Sequence, residues 1–359
     1  MSPKGTLTEE IRVSETDAAQ GIGDEPAVLA VVRTGDPSAF ASLTERHRRE
    51  LRVHCYRMLG NFEDAEDLVQ ETLARAWANR SGFEGRSTLR AWLYRIATNA
   101  CLDAIKRSRR RVRVVDDSTE LDRGPSFDEV PWLQPYPDRL LENVASGDDE
   151  PDAVVVAKET IELAFLAAIQ YLPPRPRAAL ILRDVLGWSA SETAEALDGS
   201  VAAVNSSLQR ARARMRELGR PGRLEWSPVT PPTEEERQLL QRYMDAHARA
   251  DAPAVIALLG EDARFSMPPQ MARFDGRAAV AGFFDDLFGA DNPGNWRLVP
   301  VRANGQPAAA NYVRAWGESD YRATTLDVLH IAGGELVEIT TFDARVFPAF
   351  GLPTTLAES

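Results

Sequence analysis

The sequence predicts a multidomain protein: two all-α helical domains, the second containing a helix-turn-helix, followed by an α+β domain. Three observations predict it. Apolar residues recur at three-and-four spacing in two separate blocks, from Ala27 to Arg111 and from Asp152 to Leu218. An acidic stretch with five prolines and no sustained period, Val112 to Pro151, divides them. After Thr233 the period changes, and the last third alternates with period two. At 359 residues the chain is too long for one ordinary core, so two or three domains are expected.

The opening segment, residues 1–26, is polar and contains glycine, which reads as a flexible N-terminal arm. It lacks an apolar core of the kind a secretory leader carries, and no apolar run approaches the length of a membrane span. A cytoplasmic protein with no membrane partner is therefore expected. Cys55 and Cys101 fall at apolar helical positions outside any metal-like or C-x-x-C spacing, as buried free thiols would; no metal, cofactor or catalytic residue is expected, and the chain is read as a non-enzyme.

In the first helical domain, residues 27–111, Ala65, Leu68, Val69, Thr72, Leu73, Ala76 and Trp77 form one helical face. Asp64, Glu66, Asp67, Gln70 and Glu71 are left on the other, an acidic surface. A later stripe, Leu89 to Ala104, is apolar on one side and shows Arg90, Tyr94, Arg95, Thr98 and Asn99 on the other. The loop between them holds Gly82 and Gly85 around Phe83, read as solvent-facing. Arg80, Phe83, Arg86, Arg90, Tyr94 and Asn99 would combine cations with aromatic faces, the ingredients that bind unstacked bases. A loop anchor tucked into the local core is the other reading of Phe83.

The net charge of −12 argues against a nucleic-acid binder when taken alone, but the charge is unevenly placed. From Ser81 to Val114 there are nine basic residues against two acidic, from Val115 to Glu159 thirteen acidic against three basic, and from Asn205 to Arg223 six arginines against Glu217. A polyanion meets the local field.

In the second helical domain, residues 152–218, Ala190 to Leu197 reads as a short helix, Asp198-Gly199-Ser200 as a tight turn with glycine at positive φ, and Val201 to Leu218 as a longer helix. Ala194, Leu197, Val201, Val204 and Leu208 would pack the pair. Ser200, Ala202, Ala203, Asn205, Ser206 and Gln209 would face outward, where side chains reach major-groove base edges, with Arg210 beside them. An αα-hairpin with a solvated arginine face has the same pattern.

A linker, residues 219–233, leads to the tail, residues 234–359. Helices are expected at 234–250, 252–259 and 276–288, a strand at 263–267, and four antiparallel strands at 296–301, 308–316, 321–331 and 335–342. Phe265, Met267, Trp296, Trp316, Asp327 and His330 are candidates for lining a pocket between sheet and helices, and Asp327, His330 and Asp343 are the candidate acid/base groups, placed only by their strands.

The stretches DAEDLVQETLARAW (64–77), STLRAWLYRIATNACLDAIKR (87–107), LPPRPRAALILRDVLGWSASETAEAL (172–197) and VNSSLQRARARMREL (204–218) resemble domains two and four of extracytoplasmic-function (ECF) sigma factors. The resemblance runs from about residue 27 to 218 with all four stretches in order. It implies that residues 64–77 dock on the β′ clamp of core RNA polymerase and residues 79–99 capture unpaired minus-ten bases. It further implies that residues 200–212 read the minus-thirty-five element, that residues 112–151 run toward the RNA exit channel, and that β is a polymerase partner besides the β′ clamp. The run VAAVN (201–205) departs from the family's basic pattern, which puts the promoter sequence in doubt. The tail, with EDARFSMPP (261–269), GRAAVAGFF (276–284) and FGLP (350–353), resembles the cone-shaped, cystatin-roll SnoaL-like domains, and with WLQPYPDRLLE (132–142) a SigG-like subgroup of sigma factors. The implied partners are core RNA polymerase, promoter DNA, an anti-sigma factor and a small ligand in the tail. A stand-alone, ligand-responsive helix-turn-helix regulator and an enzyme built on the tail are the competing readings.

Overall fold

The computed structural model describes residues 25–108, 130, 132–142, 162–218, 232–270, 272–289 and 292–357. The expected arm up to residue 24, most of the acidic linker and residues 219–231 lie outside them.

The first helical domain is built from α1 (Glu25–Thr34), α2 (Pro37–Leu59), α3 (Phe62–Ala78) and α4 (Leu89–Arg107). Each entry into α2, α3 and α4 carries a side-chain cap: Asp36 accepts from the Ser38 amide, Asn61 from Asp64 and Thr88 from Ala91. Helix α2 stops at Gly60, whose φ of 70° is left-handed. A Cβ there would also sit 3.1 Å from the Gln170 side chain, which would have to give by a few tenths of an ångström, so it is the backbone that requires glycine.

Short helix α5 (Arg139–Glu142) follows the described part of the linker, where Trp132, Leu133 and Tyr136 are buried. The second helical domain contains α6 (Leu163–Gln170), α7 (Pro174–Leu180), a π-helical turn (Ile181–Val185), α8 (Ala190–Ala196) and α9 (Val201–Leu218). Pro174 stands in the first turn of α7, where its missing amide has no helical partner to lose. Ser189 and Glu192 close a reciprocal capping box on α8.

The tail has α10 (Glu234–Ala248), α11 (Ala252–Ile256) and α12 (Arg277–Phe288) against a seven-stranded sheet, with α13 (Phe347–Phe350) near its end. The strands are β1 (Leu259–Ser266), β2 (Arg273–Asp275), β3 (Gly294–Ala303), β4 (Gln306–Ala315), β5 (Tyr321–Ala332), β6 (Glu335–Asp343) and β7 (Thr355–Leu356). Their order is β2-β1-β6-β5-β4-β3, with β7 on β5. The four expected strands pair antiparallel, and β1 joins β6 in parallel. Strands β2 and β7 are too short to show a period in the sequence, and the helix expected at 252–259 ends at Ile256 because the chain turns into β1 at Leu259.

Both faces of this sheet are covered. Ala309, Val313 and Leu329 point into a core shared with α10 and α12. Their neighbours Ala308, Ala310, Tyr312, Leu326 and Val328 belong to the other core, which runs through both helical domains. Alternation along β4 therefore sorts residues between two cores, not between core and water.

The joints between domains are polar and buried. Arg177 of α7 is fully buried; its Nη1 donates to Met58 O at the end of α2 and to Gln170 Oε1, both at 2.6 Å, and its Nη2 to the carbonyls of Gln170 and Leu172. The charge is held by helix-end carbonyls, where the dipole is negative. On the tail side, Asn304-Gly305 forms the two-residue turn between β3 and β4, with φ of 56° and 76°. Its buried Asn304 accepts from the Tyr136 amide at 2.7 Å and donates to the Tyr56 hydroxyl at 2.8 Å, and Tyr56 in turn donates to Gln134 O at 2.7 Å. Asp138 caps the same turn through Gly305 N and Arg302. Replacing Asn304 by Ala leaves the buried Tyr136 amide without its acceptor, which should destabilise the protein by about 1–3 kcal/mol. Urea unfolding checks this, and an unchanged midpoint would contradict the account.

Candidate functional site

Helix α3 buries Ala65, Leu68, Val69, Thr72 and Ala76 at three-and-four spacing, which turns its acidic side away from the core. Asp67 and Gln70 are exposed; Asp64, Glu66 and Glu71 are half-buried. Glu66 reaches back to Arg52 of α2, and Glu71 pairs with Arg75 at 2.5 Å. The outward part of the acidic surface is therefore centred on Asp67 and Gln70, with Glu63 exposed beside them.

The expected aromatic face for bases differs from the sequence reading at two positions. Phe83 is buried, 3% exposed, and stacks 5.2 Å from Trp92, so it anchors the loop and does not face solvent. Tyr94 is also buried, because α4 is covered on both sides: its ring lies 5.0 Å from His54 and 5.5 Å from Trp188 of the second helical domain. Its hydroxyl donates to Glu50, which also binds Arg90 at 2.6 Å and His47 at 2.6 Å. Burial would raise the Glu50 carboxyl, but the His47 hydrogen bond and the Arg90 charge outweigh it and hold it below its ordinary value. Arg80 stacks on Trp77 with 4.0 Å to the ring centroid, and Arg86 is exposed beside Glu84. Asn99 and the neighbouring Arg95 both donate to Asp198 of the second helical domain, Arg95 at 2.6 Å.

In the helix-turn-helix, Ala194, Leu197, Val204 and Leu208 are buried. Val201 is 43% exposed, because it occupies the first helical position beyond the turn, outside the packed seam. The turn takes its positive φ, 47°, at Asp198 and not at Gly199; aspartate tolerates this conformation better than most residues with a Cβ. Ser200, Ala202, Ala203, Asn205, Ser206, Gln209 and Arg210 are exposed. Arg210 lies over Ser206 and Ser207, while Arg212 makes a bidentate bridge to Asp184.

The tail holds a cavity of about 80 Å³ between sheet and helices. Phe265, Met267, Trp296 and Asp327 line it, as do Tyr243, His247 and Asn311. Trp316 does not: it is 66% exposed at the end of β4, because it follows the last paired residues of the strand. His330 does not either; it is half-buried toward the edge of β5 and bonds Gln306. Asp343 lies away from the cavity and grips Arg345. Asp327 accepts from Tyr243, Asn311 and Thr341 at 2.8, 2.6 and 2.7 Å. Burial pushes its carboxyl above the ordinary value against those three donors. Cys55 and Cys101 are buried thiols outside any disulfide. Among the described residues no cluster fit to hold a metal occurs, and no helix is long and apolar enough to cross a membrane.

Three family descriptions match the chain: Sigma-70 region 2 over residues 43–111, Sigma-70 region 4 over 162–215 and SnoaL-like domain over 240–339. The ECF RNA polymerase sigma factor SigG of Mycobacterium tuberculosis is 42% identical over 364 residues, which covers 96% of this chain and 93% of that protein. The chain belongs to the ECF sigma factor family. SigE of Mycolicibacterium smegmatis, another ECF sigma factor, is 33% identical across 54% of this chain and 68% of its own length. The crystal structure of M. tuberculosis SigJ, at 22% identity, shares the fold with a TM-score of 0.53, over 88% of this chain and 99% of that one.

Within this sigma factor the structure brings the two helical domains into contact through the side of α4 that carries Arg95 and Asn99, and leaves the start of α9 open. The sequence reading missed Tyr243, His247 and Asn311 in the cavity and Asn304 at the domain joint. Asn-Gly between two period-two runs was the available signal for Asn304. Nothing local in the sequence marks the other three, whose site exists only once α10 crosses the sheet.

Burial lowers both His54 and His247 from the ordinary 6.5 to about 3. With folded values depressed, each contributes stability that is complete above pH 6.5 and is lost as pH falls toward 3. His247→Phe should flatten that acid loss by an amount of order 1 kcal/mol or more. Unfolding measured across this pH window tests it, and an unchanged slope would count against the assignment.

Proposed function

We propose that this sigma factor binds core RNA polymerase through the acidic side of α3 and starts transcription at promoters read by its two helical domains. The observation that carries the reading is the pair of surfaces left exposed once three domains have packed: Asp67 and Gln70 on α3, and the polar start of α9 from Ser200 to Gln209. The first suits a basic protein surface; the second has small and amide side chains at the helix N-terminus, the geometry that reaches major-groove base edges. Arg210 stands further along, where a phosphate would lie. Asn99, Arg80, Arg86 and Arg90 remain our candidates for the minus-ten strand, with Arg95 added by its position. Phe83 and Tyr94 could join them only after the second helical domain has moved or the loop has opened.

The packed arrangement is a resting one in this reading. The Asp198 carboxylate sits on Arg95 and Asn99, so promoter DNA and the second helical domain compete for the same side of α4. The tail regulates by stabilising that arrangement through Asn304, and its cavity is where a small molecule would act. An anti-sigma factor would find the same exposed surfaces. We read the chain as non-enzymatic: the cavity has a histidine held neutral and a tyrosine pushed upward, so Asp327 lacks a second group poised for acid–base exchange near neutral pH.

Transcription reconstituted with polymerase lacking any sigma subunit tests the docking surface. Asp67→Lys with Gln70→Lys should abolish specific transcripts without lowering the unfolding midpoint, since both side chains are exposed. Full activity of the double variant would remove α3 as the docking surface.

A further inference from the structure

The tail cavity contains buried polar atoms with no partner. His247 is 3% exposed, and neither its Nδ1 nor its Nε2 makes a hydrogen bond. Its ring is packed among aromatic rings, 4.8 Å from Phe288 and 4.7 Å from Trp296. Asn311, 1% exposed, uses its amide nitrogen on Asp327 and Thr325 but leaves Oδ1 without a donor. Each such group, buried without a protein partner, carries a desolvation penalty that an occupant of the cavity would relieve.

The kind of occupant follows from counting donors and acceptors. The donors around Asp327 are already committed to its carboxylate: the Tyr243 hydroxyl, the Asn311 amide and the Thr341 hydroxyl. What remains for a guest is acceptor capacity: Asn311 Oδ1, the unprotonated nitrogen of His247, and the last lone pair of Asp327. Against these acceptors stand two donors, the other His247 nitrogen and the hydroxyl of Thr325, whose oxygen accepts from Asn311. No Lys or Arg is among the described residues lining the cavity, so its single formal charge is negative. Phe265, Phe283, Phe284, Tyr243 and Trp296 supply ring faces, which attract cations.

We infer that the tail cavity is a binding site for a small organic cation, a primary ammonium ion whose N–H groups meet Asn311 Oδ1, His247 and Asp327 while its carbon skeleton lies against the aromatic wall. Size restricts the guest. A space of about 80 Å³ is well below the ~150 Å³ of a cavity that holds benzene. A short alkyl chain fits, and anything larger has to displace the half-buried Met267 and Leu287. Methionine is the more compliant of the two. This deepens the reading of the tail as a ligand-responsive module and rests on it for its biological consequence, but not for the binding itself.

Calorimetric titration of the full chain with propylammonium, propan-1-ol and propionate separates charge from shape. Propylammonium should bind about tenfold or more tightly than the alcohol, a difference of ~1.4 kcal/mol, with propionate the weakest. Asp327→Asn keeps the shape and should remove most of the preference for the ammonium ion. If that variant does not fold, the three-ligand series in the unmutated chain still decides. Equal affinity for alcohol and ammonium, a preference for propionate, or no heat from any of the three at millimolar concentration overturns the proposal. None of these results bears on α3 docking, which the transcription assay reads separately.

Discussion

The last turn of α2, from Tyr56 to Gly60, is where all three domains are joined. Its carbonyls at Arg57 and Met58 accept from Gln170 and Arg177 of the second helical domain, Gly60 O accepts from the linker amide of Gln134, and the Tyr56 hydroxyl bonds Gln134 and Asn304 of the tail. A helix end has carbonyls without intrahelical partners, and here the neighbouring domains supply them. The two helical domains are tied together there, since withdrawing α2 takes the Met58 carbonyl from Arg177, whose other acceptors, Gln170 and Leu172, lie in its own domain. A buried guanidinium without its acceptors is strongly unfavourable.

That dependence explains why the contacts at the domain surfaces can be weak. The Arg95–Asp198 pair is about half-exposed on both sides, and such pairs contribute little in water. It does not need to hold the domains together, because the polar core at α2 already does. Its effect is to place an anionic carboxylate on cationic and amide groups of α4.

Much of this architecture was legible in the sequence. The helical blocks, the helix-turn-helix and the four antiparallel strands follow from periodicity. What the sequence could not convey is that α4 has two covered sides. Tyr94 and Phe83 sit where a helical wheel and a glycine-flanked loop suggest exposure, and it takes Trp188 from a later domain and Trp92 from the adjoining helix to bury them. The acidic helix was legible as a surface, but Glu66 turns toward Arg52, a contact set by the crossing of α2 and α3. The same limit hid His247, since a histidine among polar helical residues carries no mark of the aromatic rings that surround it.

Strand β4 begins immediately after Asn304-Gly305 and carries Asn311 in its middle, with Asp327 on the neighbouring β5. At about 3.3 Å per residue, the cavity and the domain joint are roughly 20 Å apart along one strand. Between them β4 is paired with β3 at every position from Gln306 to Asn311. One strand therefore supplies a wall residue of the cavity and, at its entry, the turn that bonds Tyr56 and Tyr136.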